Sequence, residues 1–243
     1  MHRPKSMSSP DRLSRGEKRK LTGLKNDLLE WSKLHGRSFP WRDDAAGEYQ
    51  KIAVEVLLQR TRAGVVSGFY EAFFVAFPTW ASLANADHGD LETFLRPLGL
   101  WRRRAASLIA LARYAAPRDG KFPSDPEQHA EIPAVGQYVS NAMMVFQHGK
   151  EKPLLDVNMA RVVERFLRPR RLADIRFDPW LQQAAHWLVR GPGCQDINWA
   201  VLDFAALVCK ARNPGCLDCP VHSRCNYYLH QKSKKIGQRK TAR

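Results

Sequence analysis

The chain has 243 residues, 44% of them hydrophobic, and its 39 Lys plus Arg against 24 Asp plus Glu give a formal net charge of +15. A chain of this length can bury one large or two small cores without a disulfide or metal staple, and no apolar run is long enough to span a bilayer. The excess of cations favours a polyanion such as nucleic acid as partner, against the plainer reading of a basic surface that serves solubility.

Residues 1–20 are rich in Ser, Pro, Arg and Lys and lack hydrophobic periodicity, so they read as a disordered basic arm with no secretory signal. Apolar residues at Leu21, Leu24, Leu28, Leu29 and Trp31 then line one face of a helix over 21–34, which ends at the Phe39-Pro40-Trp41 break. Further helices are expected over 49–60, 65–77, 91–98, 101–115 and 126–131, followed by 139–147, 157–167, 179–189 and 197–208. The 101–115 segment is unusually basic at Arg102, Arg103 and Arg104. No stretch alternates as a strand does, so the fold class is all-α. Residues 231–243 form a second basic tail.

Four of the five cysteines fall in one run, Cys209, Cys216, Cys219 and Cys225, with C-x6-C-x2-C-x5-C spacing. A short loop closed by four thiolates holds either an iron-sulfur cluster or a zinc ion, with disulfides or unligated thiols the remaining readings; zinc sites usually bring two C-x2-C knuckles, whereas only one such pair occurs here. Clustered rather than dispersed thiols, odd in total, argue for a reducing compartment and leave Cys194 as a small packed residue. The tight turn Ile132-Pro133-Ala134-Val135-Gly136 between two predicted helices has the form of a helix-hairpin-helix. Its exposed N–H groups suit a DNA phosphate, and Gly136 is able to take a positive φ. Any Pro and Gly pair between helices can equally be a plain connection.

Asp156 stands just before a helical pattern, where it acts at least as an N-cap. Backbone donors and the positive helix end would keep such a carboxylate ionised, as stabilising a cationic sugar demands. Glu55 lies in the apolar run Ile52-Ala53-Val54-Glu55-Val56-Leu57-Leu58, where it is either a buried functional carboxyl or an exposed partner of Lys51.

With these pieces in order, the chain resembles the helix-hairpin-helix (HhH-GPD) DNA glycosylase superfamily, endonuclease III and MutY group, from about Leu24 through Tyr228. Phe39-Pro40-Trp41-Arg42, the run from Glu55 to Thr61 and Asp156-Val157-Asn158 look like the MutY branch. Within it, the run from Glu55 to Val66, Gly99-Leu100 and the run from Asn198 to Phe204 look most like the Mig-type thymine mismatch glycosylases. The resemblance implies a six-helix barrel-like domain over 46–150, with 21–45 and 151–230 forming a helical 4Fe-4S cluster domain and DNA bound in the cleft between them. It also implies a nucleotide flipped from the duplex, Asp156 as the essential carboxylate and Glu55 as pocket acid or base. Tyr138 stands where bifunctional lyases carry lysine; a phenol forms no Schiff base, so a monofunctional enzyme is expected.

By the same resemblance Gln59 fills the vacated stack, with Arg60 beside it, and Leu100 is a wedge from the opposite side. Val135, Gly136 and Gln137 face phosphate, as do Lys210 and Arg212 between the first two cluster cysteines. The hairpin departs from the family pattern in carrying Ala134 where glycine is usual, and Val157 replaces the MutY glycine. Expected partners are double-stranded DNA with a mismatch or lesion and no membrane, for a monomer in the cytoplasm, nucleoid-associated if bacterial or archaeal. Thymine or uracil opposite guanine is the favoured target. The alternatives are a MutY-like adenine glycosylase and, outside enzymes, a zinc-stabilised DNA-binding module.

Overall fold

The computed structural model describes the backbone of residues 11–241 and the side chains of residues 11–233. Among these, regular structure is helical throughout, without a strand, in eleven α-helices. They divide between two compact units, one built from Met1–Arg37 with Glu151–Arg243, the other from Ser38–Lys150.

The continuous unit holds α2 (Glu48–Leu57), α3 (Ala63–Ala76), α4 (Trp80–Ala84), α5 (His88–Leu95), α6 (Trp101–Ala115) and α7 (Gln137–Phe146). Its core gathers Ile52, Val56, Phe73, Leu83, Leu91, Leu95, Leu108 and Met143. Helix α6 packs on α4 and α5, and α2 packs on both α6 and α7. The last contact sets the site, because it brings the buried last turn of α2 against the first turn of α7.

The discontinuous unit holds α1 (Arg15–His35), α8 (Val157–Phe166), α9 (Pro179–Val189), α10 (Cys194–Leu207) and α11 (Asn226–Thr241). Its own core is formed by Leu21, Leu24, Leu28, Val163, Phe166, Trp180, Leu188, Val201 and Phe204. Ser14 and Glu17 close a capping box on α1, and the Glu17 carboxylate also accepts from Trp180 Nε1 and Arg168 Nε, each at 3.0 Å. Just beyond α1, the buried Asp203 of α10 accepts from the backbone N–H and Nε of Arg37, at 2.8 and 2.7 Å. Both ends of α1 are therefore fixed to residues more than 150 positions away.

Several expectations need correction. Residues 1–10 of the expected basic arm lie outside the described residues, but 15–20 are the first turns of α1, because Ser14 and Glu17 supply a cap that composition hides. The units separate at Arg37 and Ser38 rather than at 45 and 46. The expected 126–131 helix is a short 3-10 turn, Gln128–Glu131. Helix α4 was not expected, and the 231–243 tail continues α11 to Thr241. Finally, α2 ends at Leu57, which leaves Gln59 and Arg60 in a turn.

Candidate active site and cysteine cavity

Glu55 is 3% exposed in the last turn of α2, which rules out the exposed pairing with Lys51. Tyr138, in the first turn of α7, donates its hydroxyl to Glu55 Oε2 at 2.8 Å. A phenol rather than an amine thus meets the buried carboxyl.

The hairpin before α7 differs from expectation in one informative respect. The Val135 N–H donates to the Ile132 carbonyl at 3.2 Å, with Pro133 and Ala134 between them, and it is Ala134 that takes a positive φ, 66°. This is a type II turn, whose third position favours glycine. Gly136, by contrast, has φ −93° as the N-cap of α7, and a Cβ built on it meets nothing within 4 Å. The fold therefore does not need a glycine at 136, which stands with Val135 and Gln137 at the N-terminus of α7. His129 supports the turn from beneath: its buried ring bonds the Ser140 hydroxyl and the Pro123 carbonyl, each at 2.7 Å.

Gln59 and Arg60 are exposed in the turn after α2, with Arg60 at φ 57°; Leu100 is 50% exposed before α6, at φ 48°. Beneath both loops lies Arg104, 4% exposed, whose guanidinium donates to the carbonyls of Val56, Gln59, Leu98 and Gly99 and to the Thr61 hydroxyl.

Asp156 belongs to the other unit. It is the N-cap of α8, accepting at Oδ1 from the N–H groups of Asn158 (2.9 Å) and Met159 (2.8 Å) and at Oδ2 from the Asn158 amide. Burial pushes its carboxyl above the ordinary aspartate range, and the donors from Met159 and Asn158, with the charge of Arg161, only partly oppose this. The extended segment leading to it is anchored by buried Asn198, which accepts from the Leu154 N–H at 2.7 Å and donates to the Lys152 carbonyl at 3.0 Å.

Cys209, Cys216, Cys219 and Cys225 line a single pocket together with Phe166, Phe204 and Tyr228. All are free thiols and half-buried. Burial and the charge of neighbouring cysteines push Cys216, Cys219 and Cys225 upward, Cys219 to about 11. Such mutual opposition to ionisation is relieved when thiolates share a cation. Among the described residues no three His, Cys, Asp or Glu side chains converge on a single ion. Four thiols lining one pocket are a donor set that fits an iron-sulfur cluster or a zinc ion.

Two arginines of α8 hold the loop that starts at Cys209. Arg161 donates to the carbonyls of Cys209 (2.8 Å) and Ala205 (3.0 Å) and to Asn158 Oδ1 (3.1 Å). Arg165 donates to the carbonyls of Lys210 and Ala211 and approaches Cys209 Sγ at 3.5 Å. Lys210 and Arg212 themselves are exposed.

The family described as HhH-GPD superfamily base excision DNA repair protein matches residues 53–174, a span that takes in Glu55, Arg104, the hairpin, Tyr138 and Asp156. The chain belongs to the HhH-GPD superfamily.

Within this superfamily it is 33% identical to the thymine-DNA glycosylase of Aeropyrum pernix, over 87% of this chain and 97% of that one. It is 30% identical to the thymine/uracil-DNA glycosylase of Methanothermobacter thermautotrophicus, over 83% and 91%. The solved structure of a thermostable thymine-DNA glycosylase superimposes with TM-score 0.79 at 29% identity, covering 87% of this chain and 98% of that one. No helix among the described residues is long and apolar enough to cross a membrane.

The HhH-GPD chain thus brings Glu55 to Tyr138, joins the two loops at Arg104 and collects the four cysteines. Sequence reasoning missed Arg104, Arg161, Arg165 and His129 as organisers. The run Arg102-Arg103-Arg104 stood out as basic, but its signal is charge, and only packing tells that the third of the three is buried.

Proposed function

We propose that this HhH-GPD protein is a monofunctional DNA glycosylase that extrudes a mispaired base and hydrolyses its N-glycosidic bond, acting on thymine or uracil opposite guanine. The observation that carries this reading is the hydrogen bond from Tyr138 to buried Glu55, since it sets a phenol, which cannot form a Schiff base, against the buried carboxyl. The thymine and thymine/uracil activities named for relatives at 33% and 30% identity support the choice of base.

In this reading Asp156, ionised, faces the developing positive charge on the sugar as the base departs, and the capping donors hold its oxygens in place for that task. A pyrimidine leaves as a stabilised anion, so Glu55 need only bind and orient it, with Tyr138 fixing the carboxyl. Gly136 and the N–H groups of the first turn of α7 receive a phosphate, with Val135 and Gln137 beside them. Gln59, Arg60 and Leu100 enter the duplex around the vacated position. Cys209, Cys216, Cys219 and Cys225 hold a 4Fe-4S cluster, and Lys210 and Arg212 meet phosphate from the loop it fixes. The cluster, when bound, would supply a structural clamp held by the four cysteine thiolates rather than chemistry on the base. The enzyme works as a monomer on double-stranded DNA in the compartment that holds the genome.

The test is incubation with duplexes bearing every mismatch, uracil or oxidised guanine, followed by alkali. Abasic sites are expected from thymine and uracil opposite guanine, with strand breaks only after alkali. A buried acid at Glu55 also suits protonation of adenine, and release of adenine alone would replace the pyrimidine reading. Binding without any release would return the zinc-module reading, which colour and iron content check separately.

A further inference from the structure

Left-handed backbone is unfavourable for residues with a Cβ and persists where the surroundings hold it. Arg60 and Leu100 both adopt it, at φ 57° and 48°, in turns some forty residues apart. Arg104, one turn into α6, reaches both. Its Nη2 donates to the Gln59 carbonyl and to Thr61 Oγ1, each at 2.8 Å; its Nη1 donates to the carbonyls of Leu98, at 3.1 Å, and Gly99. Nε lies 3.4 Å from the Val56 carbonyl, and Thr61 Oγ1 donates in turn to the Leu98 carbonyl at 3.1 Å, closing the ring.

The Gln59 and Gly99 carbonyls belong to the peptide groups that lead into Arg60 and Leu100. The guanidinium therefore holds the two peptide planes whose rotation the left-handed residues require. These acceptors lie at or just beyond the C-terminal ends of α2 and of the 3-10 turn Arg96–Leu98, where a cation complements the outward-facing carbonyls. Burial lowers the Arg104 pKa, and its partners are four carbonyls and a hydroxyl rather than a carboxylate. A buried cation compensated in this way forms only if both loops stand in this arrangement.

We infer that Arg104 is a positioning residue that fixes the 59–60 and 99–100 turns as one rigid two-pronged element, set at the spacing needed to enter the base stack beside an extruded nucleotide. The role in DNA rests on the base-excision reading; the clamp itself does not.

Hydrogen exchange in the free protein tests the clamp without substrate: Arg104→Met is expected to accelerate exchange at the amides of both Arg60 and Leu100, and loosening of one turn alone overturns it. On duplexes with guanine opposite thymine, Arg104→Met is expected to slow single-turnover release about a hundredfold and to reduce the fluorescence rise of 2-aminopurine placed beside the mismatch. Leu100→Ala should slow release in the parent but add less than about twofold in the Arg104→Met background, since side chains acting as one unit are not additive. Multiplicative losses, or an unchanged 2-aminopurine signal, overturn the positioning role. Arg104→Lys should restore part of the rate. If Arg104→Met fails to fold, Thr61→Val goes through the same exchange and cycle measurements, with the same outcomes deciding. Absence of release by the parent protein refutes base excision and leaves the exchange result to judge the clamp.

Discussion

The Tyr138 hydroxyl donates to Oε2 of Glu55 across 2.8 Å, joining the first turn of α7 to the buried last turn of α2. Removing that donor in Tyr138→Phe withdraws a hydrogen bond from a buried carboxyl and is expected to destabilise the protein by about 1–3 kcal/mol, read from the urea midpoint. Glu55→Gln separates the two substrate readings. A pyrimidine enzyme should lose about tenfold in release, whereas an enzyme that protonates adenine loses about 10²–10⁴-fold.

Asp156→Asn should slow base release about a thousandfold or more, in a single-turnover assay, while duplex affinity by gel shift stays within about twofold. The pH dependence follows from burial. The ionised form works, so release rises with pH through a value above the ordinary 3.8 of an aspartate. Because the folded pKa is raised, the stability contribution of this group is fully present below its unfolded pKa and lost as pH rises through the folded one. Asp156→Asn, which keeps a capping oxygen, should therefore melt above the parent at neutral pH, and the gap should vanish below about pH 3.9.

Ala134 and Gly136 predict opposite outcomes two residues apart. Ala134→Gly relieves a positive φ of 66° and should stabilise the protein by roughly 0.5–1 kcal/mol, the strain released outweighing the added freedom of the unfolded chain. That is a rise of about 2–4 °C in Tm at most. Gly136→Ala should leave Tm within about 1 °C, since the added methyl meets nothing in the protein, yet weaken duplex binding by about tenfold if phosphate approaches there.

The purified protein should be yellow-brown and contain about four irons and four sulfides per chain. A colourless protein with one zinc would refute the cluster. Cys219→Ser should lose the colour and the cooperative unfolding of the Glu151–Arg243 part of its unit. The chain of bonds from Cys209 through Arg161 and Asn158 to Asp156 carries a further expectation. Arg161→Met should lower release several-fold while iron content stays at parental level, as measured by metal analysis beside the single-turnover assay.

Much of this was legible in the chain because it is local. The cysteine spacing, the cap at Asp156 and the apolar periodicity of Leu21, Leu24 and Leu28 are patterns within a few turns, and the helices over 101–115 and 179–189 stand where periodicity places them. Helix α4 escaped because five residues carry too little periodicity; its Thr79 and Ser82 capping box was the available signal. The burial of Glu55 was undecidable from spacing, since a helix with six consecutive buried residues has no polar face to betray it. Arg104 lay beyond reach for another reason. Its partners are main-chain carbonyls, and a carbonyl leaves no mark on the sequence.

The split of one unit around the other sets an order of assembly during synthesis. Ser38–Lys150 is continuous and can collapse as soon as it leaves the ribosome, whereas α1, made first, waits for α9 and α10 before Trp180 and Asp203 can receive its two ends. Until then Leu21, Leu24 and Leu28 lack the α9 and α10 half of their core, so a nascent chain stalled before α9 leaves more apolar surface open to chaperones and proteases than the finished one.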